Sequence, residues 1–163
     1  MDGYNIIGAW PDLRVLKEQN RMDEARDLLI AKMAEYQGYT GVKVIIVFDA
    51  YNVPGAGRQQ KEYQVEVYFT KKKETADEKI EQLVFEFQNK NRQVYVATSD
   101  YTSQRVIFGQ GALRKSAREL LHDMESAGKE IRQQVEKTKE NRFSKRIELN
   151  EEIAKIFEKW RRE

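Results

Sequence analysis

Apolar and polar positions alternate along the chain in a way that predicts both strands and helices. Residues 42–48 are almost continuously apolar and largely β-branched, which is typical of a parallel strand covered on both faces. Residues 93–98 predict another strand. Residues 64–69 alternate between apolar and polar side chains, which predicts a strand nearer an edge of the sheet.

Helical periodicity separates these strands. Residues 22–36 carry apolar side chains on one helical face, and a capping box at Thr75 and Glu78 predicts the start of a second helix. A long amphipathic helix is expected from Leu113 onward, and Asn150 is expected to cap a last helix. The buried face of that last helix would carry Ile153, Ile156, Phe157 and Trp160. The alternation predicts an α/β three-layer sandwich with a mostly parallel central sheet.

The length of 163 residues suits one domain with its own core, so we expect a single domain over residues 1–163. Residues from about 128 to 163 are expected to form a C-terminal helical extension. Asp2 should lie at the end of a first strand, but only Met1 precedes it. Either the first strand is truncated, or the position of Asp2 is set by the side chains that pack behind it, namely Tyr4, Ile6, Ile7 and Trp10. A flexible Asp2 would be a weak metal ligand, because the cost of ordering it opposes binding.

Composition limits the classes of protein. The chain has no cysteine, which excludes disulfides and thiolate metal sites and suits a reducing cytoplasm. It has no apolar run long enough to span a bilayer and no leader pattern, so no membrane association is expected. A single histidine, no Gly-x-Ser-x-Gly sequence and no phosphate-binding loop argue against covalent catalysis and nucleotide hydrolysis.

Four aspartates follow apolar runs or begin helices. In an open α/β sheet, side chains at the carboxyl ends of the strands converge although they are distant in sequence. Converging carboxylates are the preferred ligands of Mg²⁺ or Mn²⁺, and chemistry on phosphate is a common use of such a site. These aspartates are Asp2, Asp49, Asp77 and Asp100.

The four aspartates are expected to have two roles. We expect Asp2, Asp77 and Asp100 to be the catalytic ligands of one or two divalent ions, with Asp49 as a supporting metal ligand. Asn5, Thr98 and Ser99 are placed to hydrogen-bond these carboxylates or a metal-bound water.

Each acid also has a purely structural explanation. Asp77 stabilises the dipole of its helix whether or not a metal is present, and Asp49 and Asp100 each stand where a turn begins. A structural role explains each aspartate alone more easily than it explains the occurrence of all four at such positions.

The net charge is only +2, so the distribution of charge is more informative than its sum. Residues 101–118 contain no acid, and residues 58–73 carry five cations against Glu62 and Glu66. Either segment could be a solvated face or an RNA-binding rim. The expected RNA contacts are Arg58, Lys71, Lys72, Tyr101, Arg105, Arg114, Lys115 and Arg118.

Five short motifs resemble one family in order and content. The resemblance covers nearly the whole chain and is to the YacP-like group of NYN-domain ribonucleases, which are relatives of the PIN-domain nucleases. It implies a PIN-like fold, Mg²⁺- or Mn²⁺-dependent endoribonuclease activity, and cleavage of messenger RNA on the ribosome. The motifs span residues 2–5, 47–50, 74–77, 97–101 and 109–112.

The predicted function is therefore a metal-dependent endoribonuclease that cleaves single-stranded messenger RNA in association with the translating ribosome. Two alternatives stay open, namely a non-catalytic RNA- or ribosome-binding module with the same fold, and a DNA flap-type nuclease. The tail from Gly128 to Glu163 carries 11 Lys or Arg against 8 Glu, and could dock on ribosomal RNA or cap the sheet. The oligomeric state and the RNA sequence that is cut do not follow from the chain.

Overall fold

The computed structural model describes residues 1–49, 59–71, 73–88, 92–99, 109 and 111–162. These residues form a mixed α/β fold in which helices and short strands alternate. The helices are α1 (Gly3–Ala9), α2 (Pro11–Glu18), α3 (Met22–Thr40), α4 (Ala76–Gln88) and α5 (Ala117–Arg162). The strands are β1 (Ile45–Phe48), β2 (Gln59–Glu62), β3 (Val65–Phe69), β4 (Tyr95–Ala97) and β5 (Leu113–Lys115).

The strands form two groups. In the first, β3 lies between β1, to which it is parallel, and β2, to which it is antiparallel. In the second, β4 and β5 pair in parallel. The strand predicted over residues 64–69 forms as β3, and β2 pairs with it on the side away from β1. Tyr63 and Gln64 join β2 to β3 through a tight turn with φ values of 49° and 75°.

Met1 and Asp2 join the two groups of strands. Asp2 forms a parallel bridge with Val47, and its backbone N–H donates to the carbonyl of Ala97 at 3.2 Å. The N–H of Val47 donates to the carbonyl of Met1 at 2.9 Å. Met1 and Asp2 thus lie between β1 and β4, and the backbone of Asp2 is held on both sides.

Helices cover both faces of β1, because successive side chains of a strand point to opposite faces. Phe48 packs against Tyr4 of α1 on one face, with the ring centroids 5.1 Å apart. Val47 packs on the other face in a core cluster with Ile80, Leu83 and Val84 of α4. The predicted three-layer arrangement is confirmed.

The helix starts are fixed by local hydrogen bonds. The predicted capping box of α4 forms, with Thr75 N–H donating to Glu78 Oε2 at 2.9 Å and Glu78 N–H donating to Thr75 Oγ1 at 3.2 Å. A second capping box at Ser116 and Glu119, which was not predicted, starts α5. The expectation that this helix begins near Leu113 was wrong, because Leu113 lies in β5.

The chain divides into two compact units, Met1–Glu125 and Ser126–Glu163. The second unit is the continuing part of α5, so Asn150 lies inside a helix rather than capping one. The side chains expected on a buried face there are exposed, from 43% for Ile153 to 70% for Trp160. Of the helices in the described ranges, none combines the length and apolar character needed to cross a membrane.

Candidate metal-ion site at the carboxyl ends of the strands

Asp2 combines two structural roles at its position between β1 and β4. Its backbone bridges β1 and β4, and its carboxylate Oδ1 accepts a hydrogen bond from the N–H of Asn5 at 3.1 Å. Asp2 is therefore the N-cap of α1, which fixes the carboxylate in one orientation. Because the fold already orders this carboxylate, little conformational entropy would be lost when it binds a metal ion.

Gly3 lets the start of α1 lie directly on β1. A Cβ atom at this position would stand 2.2 Å from Cε1 of Phe48, so no other residue fits without displacing the aromatic ring. The ring of Phe48 also stacks on Phe69 with centroids 5.5 Å apart, which restricts its movement. The close packing at Gly3 therefore holds Asp2 against the end of β1.

Tyr4 and Asn5 complete the first motif. The hydroxyl of Tyr4 accepts a hydrogen bond from Nη1 of Arg26 at 2.9 Å, which ties α1 to α3. The side-chain oxygen of Asn5 accepts a hydrogen bond from the N–H of Ser99 at 2.8 Å. Residues 2–5 thus supply a carboxylate, a close backbone contact, a helix–helix tie and a contact to the end of β4.

Asp77 lies in the first turn of α4, near enough to Asp2 for its charge to influence the pKa of Asp2. Burial raises the pKa of Asp2, and the charge of Asp77 raises it further, while the hydrogen bond from Asn5 N–H opposes both effects. Two half-buried carboxylates that repel each other are stabilised by a divalent cation. The structure therefore brings together Asp2 and Asp77.

Asp49 follows β1 and has a different surrounding. Its Oδ1 accepts a hydrogen bond from the hydroxyl of Thr70, at 3.3 Å, and Thr70 is itself buried after β3. Within the described ranges, which exclude Asp100, no three acidic or histidine side chains are placed to hold one metal ion. Asp49 therefore does not join Asp2 and Asp77 in such a set.

The remaining predicted supporting residues lie at the end of β4. Thr98 is buried, and its N–H donates to the carbonyl of Lys115 at 3.2 Å, which extends the pairing of β4 with β5. Ser99 is exposed and is held by Asn5 through its backbone, not its hydroxyl. The contact that Asn5 makes is thus to the backbone that leads into Asp100. Asp100, Tyr101, Arg105, Arg58 and Lys72 lie outside the described residues.

The predicted RNA-binding cations differ in their accessibility. Lys71 and Arg118 are exposed, whereas Arg114 is half-buried in β5. Lys115 forms an ion pair with Asp123, and its ammonium group lies 5.1 Å from the centroid of the Tyr95 ring. Lys115 is therefore engaged within the protein, and Lys71 and Arg118 are the better placed for a phosphate backbone.

Sequence reasoning missed several residues that shape this site. Gly3 was noted only as part of a motif, and Thr70 was not singled out. Asp2 itself was a usable signal, because aspartate is one of the preferred N-cap residues at a helix start. No local pattern indicates that Thr70 would contact Asp49, because the two lie 21 residues apart in sequence.

Comparison with known proteins identifies the family of the chain. Residues 1–162 match the family described as the YacP-like NYN domain. A Bacillus subtilis (strain 168) protein, named as the uncharacterized protein YacP, is 56% identical over 162 residues, which cover 99% of this chain and 95% of the relative.

Two solved structures of Rae1 (YacP) from Bacillus subtilis are also similar. One is 56% identical with a TM-score of 0.74, and the match covers 99% of this chain and 92% of that one. The other, a tryptophan-to-leucine variant, is 58% identical with a TM-score of 0.71, covering 83% and 79% of the two chains. The protein described here belongs to the YacP-like NYN domain family, with the PIN-like fold and the nuclease-type, RNA-related function of that family.

Proposed function

We propose that this protein is a divalent-metal-dependent endoribonuclease that cleaves single-stranded messenger RNA in association with the translating ribosome. The observation that carries the proposal is the pairing of Asp2 with Asp77, where burial and the neighbouring charge together raise the pKa of Asp2. A carboxylate pair of this kind is unfavourable without a cation.

The donor set fits Mg²⁺ or Mn²⁺. Asp2 and Asp77 offer oxygen ligands, which hard divalent ions prefer, and the chain has no cysteine to favour a softer metal. We propose Asp100, the residue after Ser99, as the third ligand. When bound, the ion would polarise the scissile phosphate and lower the pKa of an attacking water.

The residues of the chain contribute positioning and electrostatics. The N-cap contact from Asn5 N–H restricts the orientation of the Asp2 carboxylate, and the Asn5 side chain fixes the backbone at Ser99. Lys71 and Arg118 are exposed and would attract the phosphates of an RNA strand. If the protein recognises unpaired RNA bases, it should prefer single-stranded RNA.

The nuclease proposal is tested by incubating the protein with a single-stranded RNA in Mg²⁺ or Mn²⁺. The reaction is repeated with EDTA and with Asp77→Asn, and Glu86→Gln, an exposed acid on the same helix, serves as the control. We expect cleavage that both EDTA and Asp77→Asn abolish and that Glu86→Gln preserves. Cleavage that persists in EDTA and in Asp77→Asn would overturn the metal mechanism.

Substrate and partner need separate measurements. A flap DNA substrate assayed beside the RNA distinguishes a ribonuclease from a DNA flap-type nuclease. Co-sedimentation with translating ribosomes, followed by mapping of message ends, tests the ribosomal context. Binding to ribosomes without any cleavage would favour a non-catalytic binding module instead.

A further inference from the structure

The carboxyl-terminal end of α5 carries an exposed apolar stripe. Ile153, Ile156 and Trp160 are 43%, 52% and 70% exposed, and their spacing of three and four residues places them on one face of the helix. Phe157 flanks them at 63% exposure, with its ring centroid 6.1 Å from that of Trp160 in an edge-to-face arrangement. Apolar side chains of this size that are grouped together mark an interaction surface, whereas single ones do not. We call these four residues the C-terminal stripe.

The C-terminal stripe is short, which limits what can cover it. Continued towards the amino terminus, the same spacing passes residue 149 and then reaches Arg146 and Arg142, which are both exposed. Charged residues at these positions are unfavourable inside a helix pair, so the apolar seam extends over only about three turns. Another copy of the same segment offers a seam of the same length, and a two-fold pair is the commonest way in which identical chains associate.

The charges beside the stripe favour a second copy that lies antiparallel. Glu152 and Lys159 are exposed and seven residues apart, so they occupy the same position of the helical repeat on one flank of the stripe. In an antiparallel two-fold pair this flank faces its own copy, so Glu152 of each chain meets Lys159 of the other. In a parallel pair the same flank would face the opposite one, where Asn150 and Phe157 carry no charge.

We propose that the C-terminal stripe is a dimerisation surface on which a second copy of this chain binds with its helix antiparallel. Ile153 of one copy packs on Ile156 of the other in this register, and the two Trp160 side chains close the ends of the seam. The contact lies at the low end of specific interfaces, at about 1,200 Å² in total or less, so the dimer is weak and reversible. The proposal is independent of the nuclease activity.

Sedimentation velocity of the full chain at several concentrations tests whether it dimerises through the stripe. We expect a reversible monomer–dimer equilibrium with a dissociation constant in the micromolar range. Ile156→Glu should weaken the dimer by about a hundredfold or more, because it places two charges in the apolar seam. Phe143→Glu is the matched control, since Phe143 is an equally exposed apolar residue of α5 outside the stripe, and it should leave the dimer unchanged. Circular dichroism checks that both variants keep their helix.

Charge reversal tests the antiparallel direction. Lys159→Glu and Glu152→Lys should each weaken the dimer by about tenfold, because each variant sets like charges against each other twice. An equimolar mixture of the two variants should regain the affinity of the parent, since every pair is then opposite in charge. A parent chain that stays monomeric, or a dimer that Ile156→Glu leaves intact, would overturn the proposal. A mixture that associates no better than either variant alone would overturn the antiparallel arrangement.

Discussion

The side-chain oxygen of Asn5 accepts the backbone N–H of Ser99 at 2.8 Å, and this bond joins two parts of the chain that are 94 residues apart. Because Ser99 directly precedes Asp100, Asn5 controls where the backbone leaves β4. The bond connects the motif that supplies Asp2 with the segment that supplies the third proposed ligand. It is a positioning contact, and its loss should affect the site more than the fold.

Replacing Asn5 by alanine tests this positioning role. We expect a loss of about 1 kcal/mol in the free energy of unfolding, the usual contribution of one hydrogen bond, but a fall in RNA cleavage of about tenfold or more. Asn141→Ala, in the exposed part of α5, is the matched control and should change neither quantity. Cleavage that falls only in proportion to the folded fraction would show that Asn5 is merely structural.

Gly3 gives a prediction about packing. Gly3→Ala would place a methyl group 2.2 Å from the Phe48 ring, and such overpacking destabilises a core by about 1–3 kcal/mol. Gly38→Ala is the matched control, since a methyl group at this helical glycine would meet no atom within 4 Å and should stabilise α3 by about 0.5–1 kcal/mol. Urea unfolding measures both. Equal effects of the two substitutions would contradict the packing at Gly3.

Asp2→Asn separates stability from function. Asparagine is as good an N-cap as aspartate, and it removes both the burial of a charge and the repulsion by Asp77. In EDTA we expect the variant to be more stable than the parent, whereas stabilisation by Mn²⁺ and RNA cleavage should be lost. Asp27→Asn, at an exposed position of α3, should leave all three properties unchanged. A variant that still gains stability from Mn²⁺ would remove Asp2 from the ligand set.

The pH dependence of stability follows from the same carboxyl. The folded state raises the pKa of Asp2 above its ordinary value of 3.8, so the folded protein binds this proton more tightly than the unfolded chain. The contribution of Asp2 to stability in EDTA should therefore fall as the pH rises through the window between the two pKa values and stay level above it. The difference between parent and Asp2→Asn, measured by urea unfolding across this range, should show that slope. A flat difference would contradict the raised pKa.

The exposed basic residues Lys71 and Arg118 give a prediction about RNA binding. Lys71→Gln and Arg118→Gln should each weaken RNA binding and reduce its dependence on salt, because both side chains are exposed. Lys115→Gln should instead lower thermal stability, because the ammonium group is paired with Asp123. Fluorescence anisotropy at several salt concentrations measures the first effect. A larger loss of affinity for Lys115→Gln than for Arg118→Gln would contradict this division.

Local patterns predicted the elements whose determinants are local. The Thr75 and Glu78 capping box and the strand around Val47 formed where the sequence indicated. The start of α5 was misplaced because Leu113 has an apolar pattern that serves a three-residue strand as well as a helix. Short strands have too few residues for their period to be decisive.

Contacts between distant residues could not be predicted in the same way. Asp2 looked unsupported because its partners, Val47 and Ala97, are brought to it only by the folded sheet. The close approach of Gly3 to Phe48 likewise depends on how α1 crosses β1. The expectation that acids would converge rested on a topological rule, and the nearness of Asp77 to Asp2 agrees with it.

The central claim is that Asp2 and Asp77 share a divalent ion. A crystal soaked in Mn²⁺ and measured at the manganese absorption edge tests this most directly. The account predicts an anomalous difference peak between the two carboxylates, within about 2.2 Å of an oxygen of each, and no such peak in Asp77→Asn crystals. Manganese bound elsewhere on the protein, with none between Asp2 and Asp77, would contradict it.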